Sequence, residues 1–373
     1  MKNILLVDDS ALMRRVLCDI IESDKRFRVQ DRAVNGLDAL NMLSKKKYDA
    51  VVLDVNMPQM NGLELLKELQ KRKIYAKVLM ASTDTRDGAK VTLDALELGA
   101  LDFIHKPSSA LDCRDSEFRQ NFLRILEAVT EAEPPRPAQA EPVMPRFSSL
   151  KSPLVRTAAP VSERAEKRPL SPSFGKAVYD SGSQIVALAS STGGPKALQA
   201  VIPKLPADLK APVVIVQHMP PNFTASLAER LNALSSVNVK EAAEGDVLMP
   251  GNVYISKGGK HLNIVGSPGR YTIHYTDEPS REGVKPCANY MYESLRDSKF
   301  DRVVCVVLTG MGADGTEGIK NLKEKKKIHV IVQEASTCAV YGMPKSVVNA
   351  GLATQTVPLE QIAQEITTNV GVK

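Results

Sequence analysis

Hydrophobic positions fall along the chain in two blocks, separated by a stretch with little apolar periodicity. In the first block, to about residue 128, short apolar runs alternate with helical spacings. Ile4-Leu5-Leu6-Val7 reads as a buried strand, and Ser10 is placed to cap a helix carrying Leu12, Val16, Leu17, Ile20 and Ile21. Val51-Val52-Leu53, bounded by Asp49 and Asp54, reads as another strand, and Ala76 to Ala81 and Leu101 to Ile104 as two more. Five strands alternating with helices predict a parallel sheet covered on both faces. The second block, residues 183–373, is again α/β, with apolar runs at Ile185–Ala189, Val213–Val216, Val303–Leu308 and Ile328–Val332. The first three lead into polar or glycine-rich residues and then a helical pattern. Residues 253–275 differ: they alternate in polarity around Gly258-Gly259 and Pro268-Gly269, which predicts an antiparallel hairpin.

Between the blocks, nine of the chain's 23 prolines lie from Pro134 to Pro172. Mixed with Ala, Ser, Arg and Glu, this stretch has too little apolar surface to offset its ordering entropy. Residues 129–182 are therefore expected to be a proline-rich linker between a domain at 1–128 and a domain at 183–373. A length of 373 residues agrees with more than one domain, and 43% hydrophobic with 25% charged residues excludes a wholly disordered or collagenous chain. No apolar run approaches the ~18 residues of a membrane span. The start, MKNILLVDDS, meets two acids before any long apolar run, unlike a signal peptide. Five scattered cysteines without a CxxC pair argue against a disulfide framework or structural zinc and fit a reducing cytoplasm. The net charge of +6 is too diffuse to point to nucleic acid.

Asp8 and Asp9 follow the first strand and Asp54 the third, at the carboxyl edge where open α/β sheets bind ligands. Three carboxylates there need a cation, and a hard divalent ion such as Mg²⁺ suits oxygen ligands. Ser82 and Lys106-Pro107 come to the same edge. Helix capping accounts for Asp9 alone but not for the set. The motifs LLVDDS, VVLDVNMPQMNG, LMAST and HKP resemble the receiver domain of two-component response regulators over residues 1–125. That resemblance implies a flavodoxin-like (βα)5 fold with Asp54 as phosphoacceptor. It implies Mg²⁺ held by Asp8, Asp9, Asp54 and the main-chain carbonyl of Asn56. It makes Ser82 the hydroxyl that turns toward the phosphoryl group, Lys106 its cationic partner and Phe103 the switch aromatic.

In the second block, Ile185–Ala189 runs into Ser190-Ser191-Thr192-Gly193-Gly194-Pro195 and a helix, a relaxed small-x-Ser-x-Gly elbow. Such a loop also suits phosphate binding or a plain tight turn. Of the five histidines only His218 directly follows a buried strand, and Asp314 follows another within the glycine-dense Leu308–Gly315. Ser, His and Asp at three strand ends of one sheet form the constellation of a serine hydrolase. Ser190 is a rival nucleophile, and Asp246 and Asp277 are rival acids that end no strongly apolar strand.

The segments ASSTGGP, VQHMPPNFTASLAERLN, EGDVLMPGNVYIS, LTGMGADGTEG and VYGMPK resemble the catalytic domain of chemotaxis protein-glutamate methylesterases, the CheB family. The resemblance implies a doubly wound, mostly parallel hydrolase-type domain carrying the hairpin. It implies Ser191 as nucleophile, His218 as general base and Asp314 as the residue that orients it. Thr192 supports the site and the Met311 N–H contributes to the oxyanion hole. The reaction implied is hydrolysis of glutamyl methyl esters on chemoreceptors with release of methanol, and deamidation of glutamines as a side activity. No metal is expected in this second site. The partners implied are a chemotaxis histidine kinase and methyl-accepting chemoreceptors, with no nucleic acid and no direct membrane insertion. Lys285-Pro286-Cys287-Ala288-Asn289 stands where the family often has Arg-Pro-Ser-Val-Asp, a departure expected to bear on the substrate groove and not on the triad. The competing reading is a phosphorylation-dependent scaffold without catalysis; a DNA-binding output lacks a basic recognition helix.

Overall fold

In the computed structural model, which describes residues 1–83, 86–107, 112–132, 183–267 and 269–372, the first block opens with β1 (Lys2–Val7), α1 (Ala11–Glu22), β2 (Phe27–Ala33), α2 (Gly36–Leu43) and β3 (Ala50–Asp54). It continues through α3 (Gly62–Lys71), β4 (Val78–Thr83), α4 (Arg86–Glu97), β5 (Asp102–Lys106) and α5 (Ser116–Glu131). The strands form one parallel sheet in the order β2-β1-β3-β4-β5. β3 is buried throughout, which is why it reads as a continuous apolar run. β2 is an edge strand in which Phe27, Val29 and Ala33 are buried between more exposed residues, so no apolar run marks it. Ser10 caps α1, its hydroxyl accepting from the Met13 N–H at 3.3 Å, a contact of about 1 kcal/mol.

α5 runs past the expected boundary at 128. Phe122, Ile125, Leu126 and Val129 follow a helical spacing and are buried, and Ala132 is buried beyond them. The helix therefore takes in the first residues assigned to the linker, and the linker's residues 133–182 lie outside the described ones.

The second block begins with β6 (Gln184–Ser190), α6 (Gly194–Val201), β7 (Val213–Gln217), α7 (Phe223–Leu234), β8 (Asn238–Glu241) and β9 (Asn252–Ile255). A hairpin of β10 (His261–Ser267) and β11 (Arg270–Thr276) follows, then α8 (Ala288–Ser294), β12 (Arg302–Val307) and α9 (Thr316–Lys323). β13 (Ile328–Gln333), α10 (Met343–Asn349), β14 (Gln355–Val357) and α11 (Leu359–Val370) complete it. Seven strands make a parallel sheet in the order β14-β13-β12-β6-β7-β9-β8. The hairpin is antiparallel as expected, with His261 opposite Thr276, but it is shorter than 253–275 suggested. Val253, Tyr254 and Ile255 are all buried and belong to β9 inside the main sheet, parallel to β7 and β8. Pro268 of the expected hairpin turn lies outside the described residues.

The chain leaves β6 for β7 on one side and later places β12 on the other, so the order reverses at β6. A crevice opens at such a switch point, beyond the carboxyl ends of the strands. The two blocks also touch. Phe103 of β5 stacks on Phe223 at the start of α7, ring centroids 4.6 Å apart at 24°. Arg230 of α7 reaches Asp94 at 2.6 Å and Glu97 at 2.9 Å on α4. Apolar residues of both blocks join in one buried cluster. Among the described residues no helix is long and apolar enough to cross a membrane.

Candidate active site

Ser191, His218 and Asp314 lie beyond the carboxyl ends of β6, β7 and β12. β6 is buried from Ile185 to Ser190, and the chain then turns through Gly193 at φ +75° into α6. Ser190 and Ser191 differ in what their hydroxyls do. Ser190 is fully buried and its hydroxyl donates to Gln217 Oε1 at 2.7 Å. The Ser191 hydroxyl takes no partner among the described residues, so it is the one of the pair not already engaged.

Gln217, the last residue of β7, ties the loops together. Its amide donates to the Ser191 carbonyl at 2.9 Å and the His218 carbonyl at 3.3 Å. The fit is tight: a Cβ on Gly194 would lie 2.0 Å from Gln217 Oε1. Beyond β12, a Cβ on Gly310 would lie 2.7 Å from the Ser191 Cβ, so only glycine lets that loop approach the serine. The next N–H, that of Met311, takes no partner among the described residues.

His218 Nε2 donates to Asp314 Oδ2 at 2.8 Å. Its Nδ1 is buried and has no hydrogen-bond partner among the described residues. In the usual triad the two ring nitrogens have the opposite roles. The rival acids are engaged elsewhere: Asp246 with Lys240 at 2.7 Å and Asp277 with Lys260 at 2.8 Å. Asp314 is buried. Burial raises a carboxyl, but the His218, Cys287 and Ala288 hydrogen bonds outweigh it, and the Asp314 pKa lies below its ordinary value.

Thr192 is buried, its carbonyl accepting from Thr309 Oγ1 at 3.0 Å. Its side chain faces the Asp102 carboxylate of the first block, at the start of β5. Burial pushes the Asp102 carboxyl up, with the Thr192 hydrogen bond acting the other way.

The acidic site forms at the carboxyl edge of the first sheet. Oxygens of Asp8, Asp9 and Asp54 lie within 4.8 Å of one another. Lys106 Nζ is 2.9 Å from both Asp8 and Asp54. Burial works against its ammonium, but Asp54 and Asp8 outweigh it and hold the Lys106 pKa above its ordinary value. Burial pushes the Asp54 carboxyl up, a cost that a cation among these oxygens offsets. An oxygen-only donor set of this charge fits a hard divalent ion. Asn56, two residues past β3, is exposed, and Ser82 is buried at the end of β4. A Cβ on Gly62 would lie 2.5 Å from the Asp54 carbonyl, so the glycine of the VNMPQMNG segment lets α3 pack under the acid.

The CheB methylesterase family model matches residues 186–366, and the response regulator receiver domain model matches residues 4–115. A protein-glutamate methylesterase/protein-glutamine glutaminase of Bacillus subtilis is 40% identical over 373 residues, covering 99% of both chains. One of Oleidesulfovibrio alaskensis is also 40% identical, over 379 residues and 98% of both. The chain belongs to the CheB methylesterase family. A solved CheB catalytic domain of Thermotoga maritima is 39% identical and covers 50% of this chain and 99% of its own, with a TM-score of 0.49.

Within this CheB family chain, the motif reading left out the residues that hold the Asp314 carboxylate. Cys287 Sγ lies 3.0 Å from Asp314 Oδ1, and the N–H groups of Ala288 and Asn289 donate to the carboxylate at 2.6 and 2.9 Å. The Lys285–Asn289 segment, expected to bear on the substrate groove, lies directly against Asp314, where α8 begins. Two of these donors are main-chain groups, which no residue type announces. The Gln217 clasp and the Asp102 contact were also outside the motif reading.

Proposed function

We propose that this chain is a phosphorylation-regulated serine hydrolase that demethylates glutamyl methyl esters of chemoreceptors. The buried His218–Asp314 pair, held beside the Ser191 loop by Gln217, carries the reading. His218 Nδ1 takes the Ser191 proton as Oγ bonds to the ester carbonyl. The Met311 N–H donates to the resulting oxyanion, with Thr192 bracing the loop; a donor of this kind is worth about 3 kcal/mol. As the carbon–methoxy bond breaks, the imidazolium proton passes to the leaving group and methanol departs. Water, deprotonated by His218, then attacks the acyl-enzyme and frees the glutamate. A glutamine amide enters the same steps and releases ammonia, more slowly because it leaves less readily. The buried His218–Asp314 pair, with the Ser191 hydroxyl unengaged beside it, supports catalysis over the silent scaffold.

The receiver supplies control. Asp54 accepts the phosphoryl group from a chemotaxis histidine kinase. Asp8, Asp9, Asp54 and the Asn56 carbonyl would hold Mg²⁺, which would offset negative charge at this site. Ser82 and Lys106 then bond the phosphoryl oxygens and Phe103 changes its packing. Because Phe103 lies against Phe223 and Asp102 against Thr192, the unphosphorylated receiver covers the catalytic mouth. The setting is the cytoplasm, where the kinase and the receptors' signalling regions meet; nucleic acid and membrane insertion play no part.

Methanol release from methyl-labelled receptor membranes tests both halves. It is expected to fall at least a thousand-fold in Ser191→Ala, and to rise with a small phosphodonor only when Asp54 is present. Release that persists in Ser191→Ala overturns the catalytic assignment, and a phosphodonor response in Asp54→Ala overturns the regulatory one.

A further inference from the structure

We infer that Cys287 is a positioning residue of this triad: its thiol completes the donors that fix the Asp314 carboxylate and, through it, the orientation and basicity of His218. Cys287 is fully buried just before α8, and its Sγ is 3.0 Å from Asp314 Oδ1. The Asn289 N–H shares that oxygen at 2.9 Å, while Oδ2 takes the Ala288 N–H at 2.6 Å and His218 at 2.8 Å. Each oxygen thus has two donors. Apart from the base itself, Cys287 supplies the only side-chain donor to that carboxylate among the described residues.

Burial and then the Asp314 charge push the thiol pKa up, so the group keeps its proton and donates. A thiol is a weak donor beside a hydroxyl. The strength of this bond sets how much carboxylate charge remains to stabilise the protonated imidazole. Other groups face the pair: Glu282, whose carboxylate accepts from Asn289 Nδ2 at 2.7 Å, Asp102 of the receiver, and the Tyr292 hydroxyl of α8. None bonds Cys287 itself, so substitution at 287 changes the thiol contact and leaves them in place.

The inference uses the hydrolase reading for its rate measurement but not for its spectroscopic one. Full-length Cys287→Ser and Cys287→Ala are compared with the parent chain under phosphodonor, following kcat/KM for receptor methyl esters against pH. The downfield proton resonance of the His218–Asp314 hydrogen bond is recorded alongside. In Cys287→Ala the plateau is expected to fall about ten-fold, the scale of one hydrogen bond to a charged group. Its acid limb moves to higher pH, because a carboxylate with one donor fewer holds the protonated base more strongly. In Cys287→Ser the limb moves to lower pH and the plateau stays near that of the parent. The resonance broadens in Cys287→Ala and persists in Cys287→Ser. A folded Cys287→Ala with the parent's profile and resonance overturns the inference. If Cys287→Ala does not fold, Cys287→Ser decides: a limb that stays in place or moves up overturns it. If no variant, the parent included, releases methanol, the hydrolase reading fails and the resonance alone decides the role of Cys287.

Discussion

Ser190 and Ser191 are neighbours with the same side chain and opposite employment. The first hydroxyl is used to hold Gln217 and the second is left to react. Gln217 in turn bonds the Ser191 and His218 carbonyls, so nucleophile and base share one support. Gln217→Ala is expected to lower kcat about ten-fold with little change in KM, since it loosens the reacting groups rather than the substrate contacts; steady-state kinetics on receptor membranes check the split. That Ser191, His218 and Asp314 lie at one sheet edge was legible, because Ser191 and His218 directly follow apolar strands and Asp314 stands in the loop after a third. Their supports were not. Gln217 looks like the last residue of a strand, Cys287 like one more buried cysteine, and the Ala288 and Asn289 N–H groups have no side-chain signature at all.

At the scale of elements, α4 and β5 of the receiver lie against the α7 side of the hydrolase, and Asp102 carries the chemistry of that contact. Its carboxyl is half-buried and its pKa is raised by burial. A raised value in the docked state means that docking binds protons. The contribution to docking is full below the ordinary carboxyl value and is lost as pH rises through the raised one. Above that range the ionised group opposes docking, tempered by Thr192. Asp102→Asn keeps an acceptor and removes the charge, so basal methanol release is expected to fall and to lose its rise with pH at the acid end. The alternation of strands and helices was legible because β3, β6, β7 and β12 are apolar runs buried on both faces. The edge strand β2 and the true extent of the hairpin were not, since partial burial leaves the period ambiguous: β9 sits deep in a parallel sheet yet is only four residues long. The pairing of Phe103 with Phe223 was out of reach, because no local pattern joins residues in different domains.

At the scale of the whole molecule, the receiver and the hydrolase meet through the Phe103–Phe223 stack, the Arg230 ion pairs and a shared apolar cluster. An aromatic stack adds about 0.5–1.5 kcal/mol beyond its buried area, and the Arg230 pairs with Asp94 and Glu97 sit partly in water, where such bonds are weak. A single phosphoryl group at the far end of β3 can therefore shift the balance. Arg230→Ala is expected to raise basal methanol release of the unphosphorylated chain several-fold while leaving the fully phosphorylated rate unchanged; equal effects on both rates sink the docking account. Because the receiver and the hydrolase are one chain, their meeting is unimolecular. Dilution does not separate them, and the number of copies in a cell does not set the fraction closed. A cell that makes twice as much of this protein doubles its idle activity and its capacity together, and the ratio between rest and response stays written in the interface.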